Sequence, residues 1–197
     1  MKDYFCSIYY NAVNEAIRVD DLIKYNELQA HISREYLKKH NVYRYRTVKT
    51  DDMDDSKIIN VCHWYCEENN LVQDFTAFLE REINLQNAKE YLGKTINVII
   101  DRPLGSHHPK HNEVVYPVNY GFFEDVIAPD GEPQDVYVLG VYEPVSCFEG
   151  RVIAVIHRLD DVEDKWVVAP DELRFTKEDI IEATRFQEQF FNIEIIM

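Results

Sequence analysis

A chain of 197 residues and 23.4 kDa with 36 acidic against 21 basic side chains has a formal net charge of −15, which excludes a protein that coats nucleic acid. At 46% hydrophobic and 13% aromatic it can bury one or two ordinary cores, and no apolar run approaches the roughly 20 residues that a membrane-spanning helix needs. Four cysteines (Cys6, Cys62, Cys66, Cys147) are too few for a disulfide scaffold and Met1-Lys2-Asp3-Tyr4 does not open like a secretory leader, so a cytoplasmic location is expected.

Residues 1–92 contain neither glycine nor proline, whereas all six glycines and seven prolines lie between Gly93 and Pro170. A stretch without breakers favours helices, and two regions, 1–92 and 93–197, are expected. Phe5, Ile8, Tyr9, Ala12, Val13 and Ala16 recur at helical spacing, as do Leu22, Tyr25, Leu28, Ile32 and Tyr36. After the polar stretch 41–53, Asp54-Asp55-Ser56 offers an N-cap for a helix through Glu68. Asn70 can start another that reaches about Leu92, with Gly93 as its stop. An all-α region of about four helices follows. Cys62 and Cys66, one helical turn apart with no further cysteine nearby, read as buried small hydrophobes rather than as a zinc site.

Beyond Gly93 the pattern changes to short β-branched runs bounded by turn residues: 96–100, 135–142, 151–157 and 165–169. These predict the strands of a small barrel or sandwich. Thr176, with Asp179 three residues on, caps a C-terminal helix carrying Ile180, Ile181, Ala183, Phe186 and Phe190, which would pack on that barrel. The eight basic and 20 acidic side chains after residue 100 net −12, so the acidity belongs to this region.

Three clusters here can carry chemistry. Ala128-Pro129-Asp130-Gly131-Glu132-Pro133-Gln134-Asp135 places three carboxylates around a tight turn that enters a strand. Residues two apart on extended backbone face one way, so Asp130 and Glu132 can reach one hard cation while Asp135 approaches from the strand; a solvated Pro-Asp-Gly turn is the alternative. Asp160-Asp161-Val162-Glu163-Asp164-Lys165 is a second acidic turn, either a polar hairpin or a partner to the first, because carboxylates brought together need cations to neutralise them. Tyr116-Pro117-Val118-Asn119-Tyr120-Gly121, preceded by His107, His108, Lys110 and His111, supplies phenols and a lysine suited to phosphate, or tyrosines of a core. The histidines lack the cysteines or the fixed helical spacing of a zinc site.

In order and spacing, Tyr116-Pro117-Val118-Asn119-Tyr120-Gly121, then Asp130-Gly131-Glu132-Pro133-Gln134-Asp135, then an acidic turn ending in lysine, resemble the soluble inorganic pyrophosphatases of the OB-barrel type. The resemblance covers residues from about 94 to the C-terminus and says nothing of 1–92. It implies an α+β chain in which a small closed OB-like β-barrel with a C-terminal helix follows the all-α region. It also implies metal-dependent hydrolysis of inorganic diphosphate to two phosphates, with magnesium and possible use of manganese. Asp101, Asp130, Glu132 and Asp135 would hold metal, together with members of the set Asp160, Asp161, Glu163 and Asp164. Lys110 and Lys165 would bind phosphate, and Tyr116 and Tyr120 would contact phosphates and the inner metal shell. Asp135, Glu132 and Tyr120 would thus stand closest to the reaction.

The chain departs from the family's pattern in several places. Glu132 replaces an aspartate, Asn112 stands where an acid follows the lysine, and the second acidic turn is about two residues short. The strand that carries a phosphate-binding arginine has no counterpart between Lys110 and Tyr116, where Arg102 is the substitute at hand. Phe190-Phe191 occupies the place of a tyrosine-lysine pair. A catalytically weak sensor of diphosphate or nucleotide is therefore the alternative function, whereas oligonucleotide binding by the barrel conflicts with its charge. A homo-oligomer with no membrane or nucleic-acid partner is the expected assembly.

Overall fold

The computed structural model describes residues 19–109, 111 and 113–197, with side chains from residue 23 onward. The helix expected over residues 5–16, the Leu22 side chain, Cys6, Lys110 and Asn112 lie outside the described residues. Contacts divide the chain into two compact units, one ending at Leu79 and one running from Glu80 to Met197.

In the first unit, helix α1 (Val19–Lys39) is followed by a two-residue-per-strand hairpin, β1 (Arg44–Tyr45) and β2 (Val48–Lys49), and by α2 (Asp55–Asn69). Asp54 caps α2 by accepting the Lys57 N–H. Asn70, expected to open the next helix, closes this one instead: it is left-handed at φ 58° and its N–H bonds back to the Cys66 and Glu67 carbonyls. Helix α3 therefore begins at Val72 and runs to Lys89, and its residues after Leu79 are counted with the second unit. Tyr36, Leu37, Ile58, Val61, Phe75 and Leu79 are buried, as are Cys62 and Cys66. The hairpin at 44–49 is too short to leave an alternating pattern in the sequence.

The second unit holds strands β3 (Thr95–Arg102), β4 (Asn119–Ile127), β5 (Pro133–Val138), β6 (Cys147–Arg158) and β7 (Lys165–Ala169), then helix α4 (Lys177–Glu188) and strand β8 (Ile193–Ile196). β4 pairs antiparallel with β3 and β5, β5 pairs parallel with β7, and β6 pairs antiparallel with β7, β3 and β8. Each of β3, β4, β5 and β7 thus has two neighbours, and β6 has three. One face packs Ile96, Val98, Ile100, Phe123, Val136, Val138, Val152, Val155, Trp166 and Val168. The other packs Tyr116, Tyr120, Tyr137, Leu139, Ala154, Ile156 and Val167 against Ile180 of α4. Thr176 caps α4 in a reciprocal box with Asp179, as its sequence indicates.

The break expected at Gly93 falls earlier, at Leu79, for a packing reason. Leu85 and Ala88, one helical turn apart near the end of α3, are buried in the first-face core, and Tyr91 and Leu92 pack against it. Strand β4 was not evident in the sequence because its nine residues include Asn, Gly, Glu and Asp; the strands on both sides impose it. Gly121 permits the close pairing, since a Cβ there would lie 1.8 Å from the Ile99 carbonyl oxygen. Among the described residues no helix is long and apolar enough to cross a membrane.

Candidate active site

Strand alternation decides which acids meet. Val136 and Val138 face the first core, so Asp135 and Tyr137 face the second; Trp166 and Val168 likewise send Lys165 and Val167 to the second. On β3 the inward Ile96, Val98 and Ile100 leave Asp101 on that same side, next to β4 and its Tyr120. Asp101, Tyr120, Asp135 and Lys165 are thus delivered to one surface by four strands.

Lys165 is buried, at 3% exposure, and its Nζ forms ion pairs with Asp135 and, at 2.6 Å, with Glu163 Oε2. Arg102 Nη1 donates to Asp101 Oδ2 at 2.9 Å. Burial raises the Asp101 carboxyl above its usual range, an effect opposed by Arg102 and reinforced by the charge of Asp135. The Glu163 carboxyl is pushed up to about 7, first by burial, which Lys165 opposes and Asp135 reinforces. Burial also pushes the Tyr120 phenol well up, helped by the adjoining Asp135. Tyr116 is raised by burial, with Arg102 opposing and Asp101 and Asp135 reinforcing. These mutual effects tie three carboxylates, two phenols and two cations into one electrostatic cluster.

Other acids expected here are engaged elsewhere. Asp160 accepts the Asn192 N–H with both oxygens, at 3.0 and 3.1 Å. Asp161 accepts from Arg158 Nη1 at 3.0 Å and from the Val162 N–H at 2.7 Å. Asp164 is buried and accepts from His157 Nδ1 at 2.9 Å and the Arg158 N–H at 3.1 Å. The short turn has room to aim only Glu163, two residues before Lys165, at that lysine's face. Asp130 accepts the Glu132 N–H at 3.0 Å in an exposed turn around Gly131, whose φ is 88°, and Glu132 is exposed beside it. Among the described residues no three His, Cys, Asp or Glu side chains are arranged to hold a metal ion. In the histidine loop the His111 N–H donates to His108 Nδ1, and the His108 ring lies parallel to Tyr116 with centroids 6.2 Å apart.

Three residues escaped the sequence reading. The Tyr137 hydroxyl donates to Glu188 Oε1 at 2.6 Å, and Arg158 grips Glu188 with Nε and Nη2 at 2.9 and 2.8 Å. The available signal was Glu188 itself, a charged residue four and eight positions after the buried Thr184 and Ile180 on the packed stripe of α4.

Residues 84–190 match the family described as Pyrophosphatase: Inorganic pyrophosphatase. The inorganic pyrophosphatase of Saccharolobus solfataricus is 36% identical over 92 residues, covering 38% of this chain and 54% of that protein. The one from Methanosarcina mazei is 40% identical over 82 residues, covering 41% of this chain and 43% of that protein. The alignments with these curated relatives thus span about half of their length. A solved inorganic pyrophosphatase from Ehrlichia chaffeensis aligns at 24% identity and TM-score 0.42 over 52% of this chain and 85% of that one.

Proposed function

This chain belongs to the inorganic pyrophosphatase family, and we propose that it hydrolyses inorganic diphosphate to two phosphates with the help of a divalent cation. The observation that carries the reading is the convergence of Asp101, Asp135 and Glu163 with Arg102, Lys165, Tyr116 and Tyr120 on one face of the matched region. Burial raises the Asp101 and Glu163 carboxyls, the charge of Asp135 reinforces both, and hard oxygen donors suit magnesium or manganese. In this reading Asp101, Asp135 and Glu163, released from Arg102 and Lys165, would hold the metal, and Asp130 and Glu132 would add carboxylates from the exposed turn. A bound ion supplies a water of lowered pKa and neutralises charge on diphosphate.

The chain's own groups do the rest. Arg102 and Lys165, with Lys110, bind the phosphate oxygens, and Tyr116 and Tyr120 donate hydrogen bonds from hydroxyls that stay protonated. Packing by Phe186 against Tyr116 and Tyr137 keeps one wall of the site dry. The circuit of pairings through β3, β4, β5, β7 and β6 supports a small closed OB-like barrel. The same reading places the protein in the cytoplasm as a homo-oligomer without a nucleic-acid partner, and leaves residues 1–92 outside the chemistry. The test is phosphate release from diphosphate with magnesium, with manganese and with chelator. Release only with metal is expected; binding of diphosphate without release in every condition would overturn the assignment.

A further inference from the structure

We propose that Arg158 is a positioning residue that sets the separation of Asp135 and Glu163, a role that rests on the hydrolase reading above. Arg158 ends β6 and is 3% exposed, yet its guanidinium binds groups from two other elements. Nε and Nη2 clamp Glu188 of α4 at 2.9 and 2.8 Å, and Nη1 reaches Asp161 of the acidic turn at 3.0 Å. Its backbone N–H bonds Asp164 in that same turn. Glu188 in turn accepts the Tyr137 hydroxyl at 2.6 Å. Tyr137 lies two residues beyond Asp135 on the same face of β5, and its ring centroid is 4.9 Å from that of Tyr120.

One planar fork therefore joins the strand that carries Asp135 to the turn that carries Glu163. Asp161 stands two residues before Glu163, and Asp160 anchors the turn again at Asn192. Guanidinium donors have fixed directions, so this network specifies distances that apolar packing would leave free. A buried ion pair is poor evidence for stability, because well-packed apolar side chains often replace one without loss. That fact separates positioning from mere support.

The experiment compares the full chain with the triple variant Arg158→Met/Glu188→Leu/Tyr137→Phe, which removes the whole network and leaves no buried group of it unpaired. Melting temperature, kcat and KM for diphosphate, and manganese affinity by calorimetry are measured. The expected result is a folded protein melting close to the parent, with kcat lower by roughly tenfold to a hundredfold, the scale of an ångström misplacement. Manganese should also bind severalfold more weakly. Glu188→Gln, which keeps an oxygen for Tyr137, should recover part of both losses. A folded triple variant with the parent's kcat and manganese affinity overturns the proposal. If the triple variant does not fold, Tyr137→Phe decides: a severalfold fall in kcat at little changed KM supports positioning, and unchanged kcat and manganese affinity overturn it. Should the parent release no phosphate, the hydrolase reading fails separately. Manganese and methylenediphosphonate binding then decide, weaker binding by the variants supporting positioning and equal binding overturning it.

Discussion

Replacing Lys165 with methionine tests the core of the site most directly. The ammonium is 3% exposed, with Glu163 at 15% and Asp135 at 28%, so the substitution leaves two partly buried carboxylates facing each other. Breaking a buried ion pair from one side typically costs about 3–5 kcal/mol, because the remaining charge loses its partner. For a domain of this size that corresponds to a fall of roughly 10–20 °C in melting temperature. A divalent cation can replace the missing charge, and at about a hundred times its dissociation constant it would return about 2.7 kcal/mol. The assay is thermal unfolding followed by circular dichroism, parent against Lys165→Met, in chelator and in millimolar manganese. The variant should be the less stable in chelator and should gain more from manganese than the parent does. A variant as stable as the parent in chelator would refute the buried ion pair. Equal gains from manganese would refute Asp135 and Glu163 as its ligands.

Asp135→Asn should lower metal-dependent phosphate release by at least about a hundredfold in a protein whose circular dichroism is unchanged, since Asp135 pairs with Lys165 and its charge acts on Asp101, Glu163, Tyr116 and Tyr120; retained turnover would exclude it from the reaction. A fragment from Glu80 should fold, whereas one from Gly93 should melt far lower or not fold, because losing the buried Leu85 alone costs about 2–5 kcal/mol; calorimetry of the two fragments decides. In chelator, Glu163 binds its proton more tightly when folded, at about 7, than at its unfolded value of 4.5. Its contribution to stability is therefore complete below about pH 4.5 and is lost as pH rises to about 7. Melting temperature against pH should show that fall, and Glu163→Gln should flatten it.

What the sequence reveals depends on whether the determining interaction is local. The cap at Asp54, the box at Thr176 and Asp179, and the run at 165–169 are local, and each stands in the structure where the residues place it. Strand β4 is not local: its pairing with β3 and β5 overrides a composition poor in β-branched residues. The acidic turn shows the same limit within the site. Spacing identifies four acids before Lys165, but a turn has no alternation from which to read direction. Asn192, Arg158 and His157, all outside the turn, determine where Asp160, Asp161 and Asp164 point. That Asp135 and Lys165 share one side of the sheet follows from strand alternation, which is local. Arg158 and Glu188, 30 residues apart, leave no joint signal in the sequence.

The distribution of cations then bears on how the site can work. Arg158 is clamped by Glu188 and Asp161, and the Phe191 ring covers its guanidinium with the centroid 3.7 Å away. That arginine is withdrawn from substrate by its two carboxylates. Lys165 is held by two others, and can meet a phosphate only by leaving them or by sharing its protons. Arg102, partly exposed and bound to its neighbour Asp101, is more accessible to an incoming diphosphate than Lys165 or Arg158. Among the described residues, a site so arranged has little unpaired positive charge to offer diphosphate before metal arrives. In the proposed reaction its three carboxylates would make the cation a requirement for substrate binding as well as for activating water, because an unneutralised polyanion would meet like charge beside them.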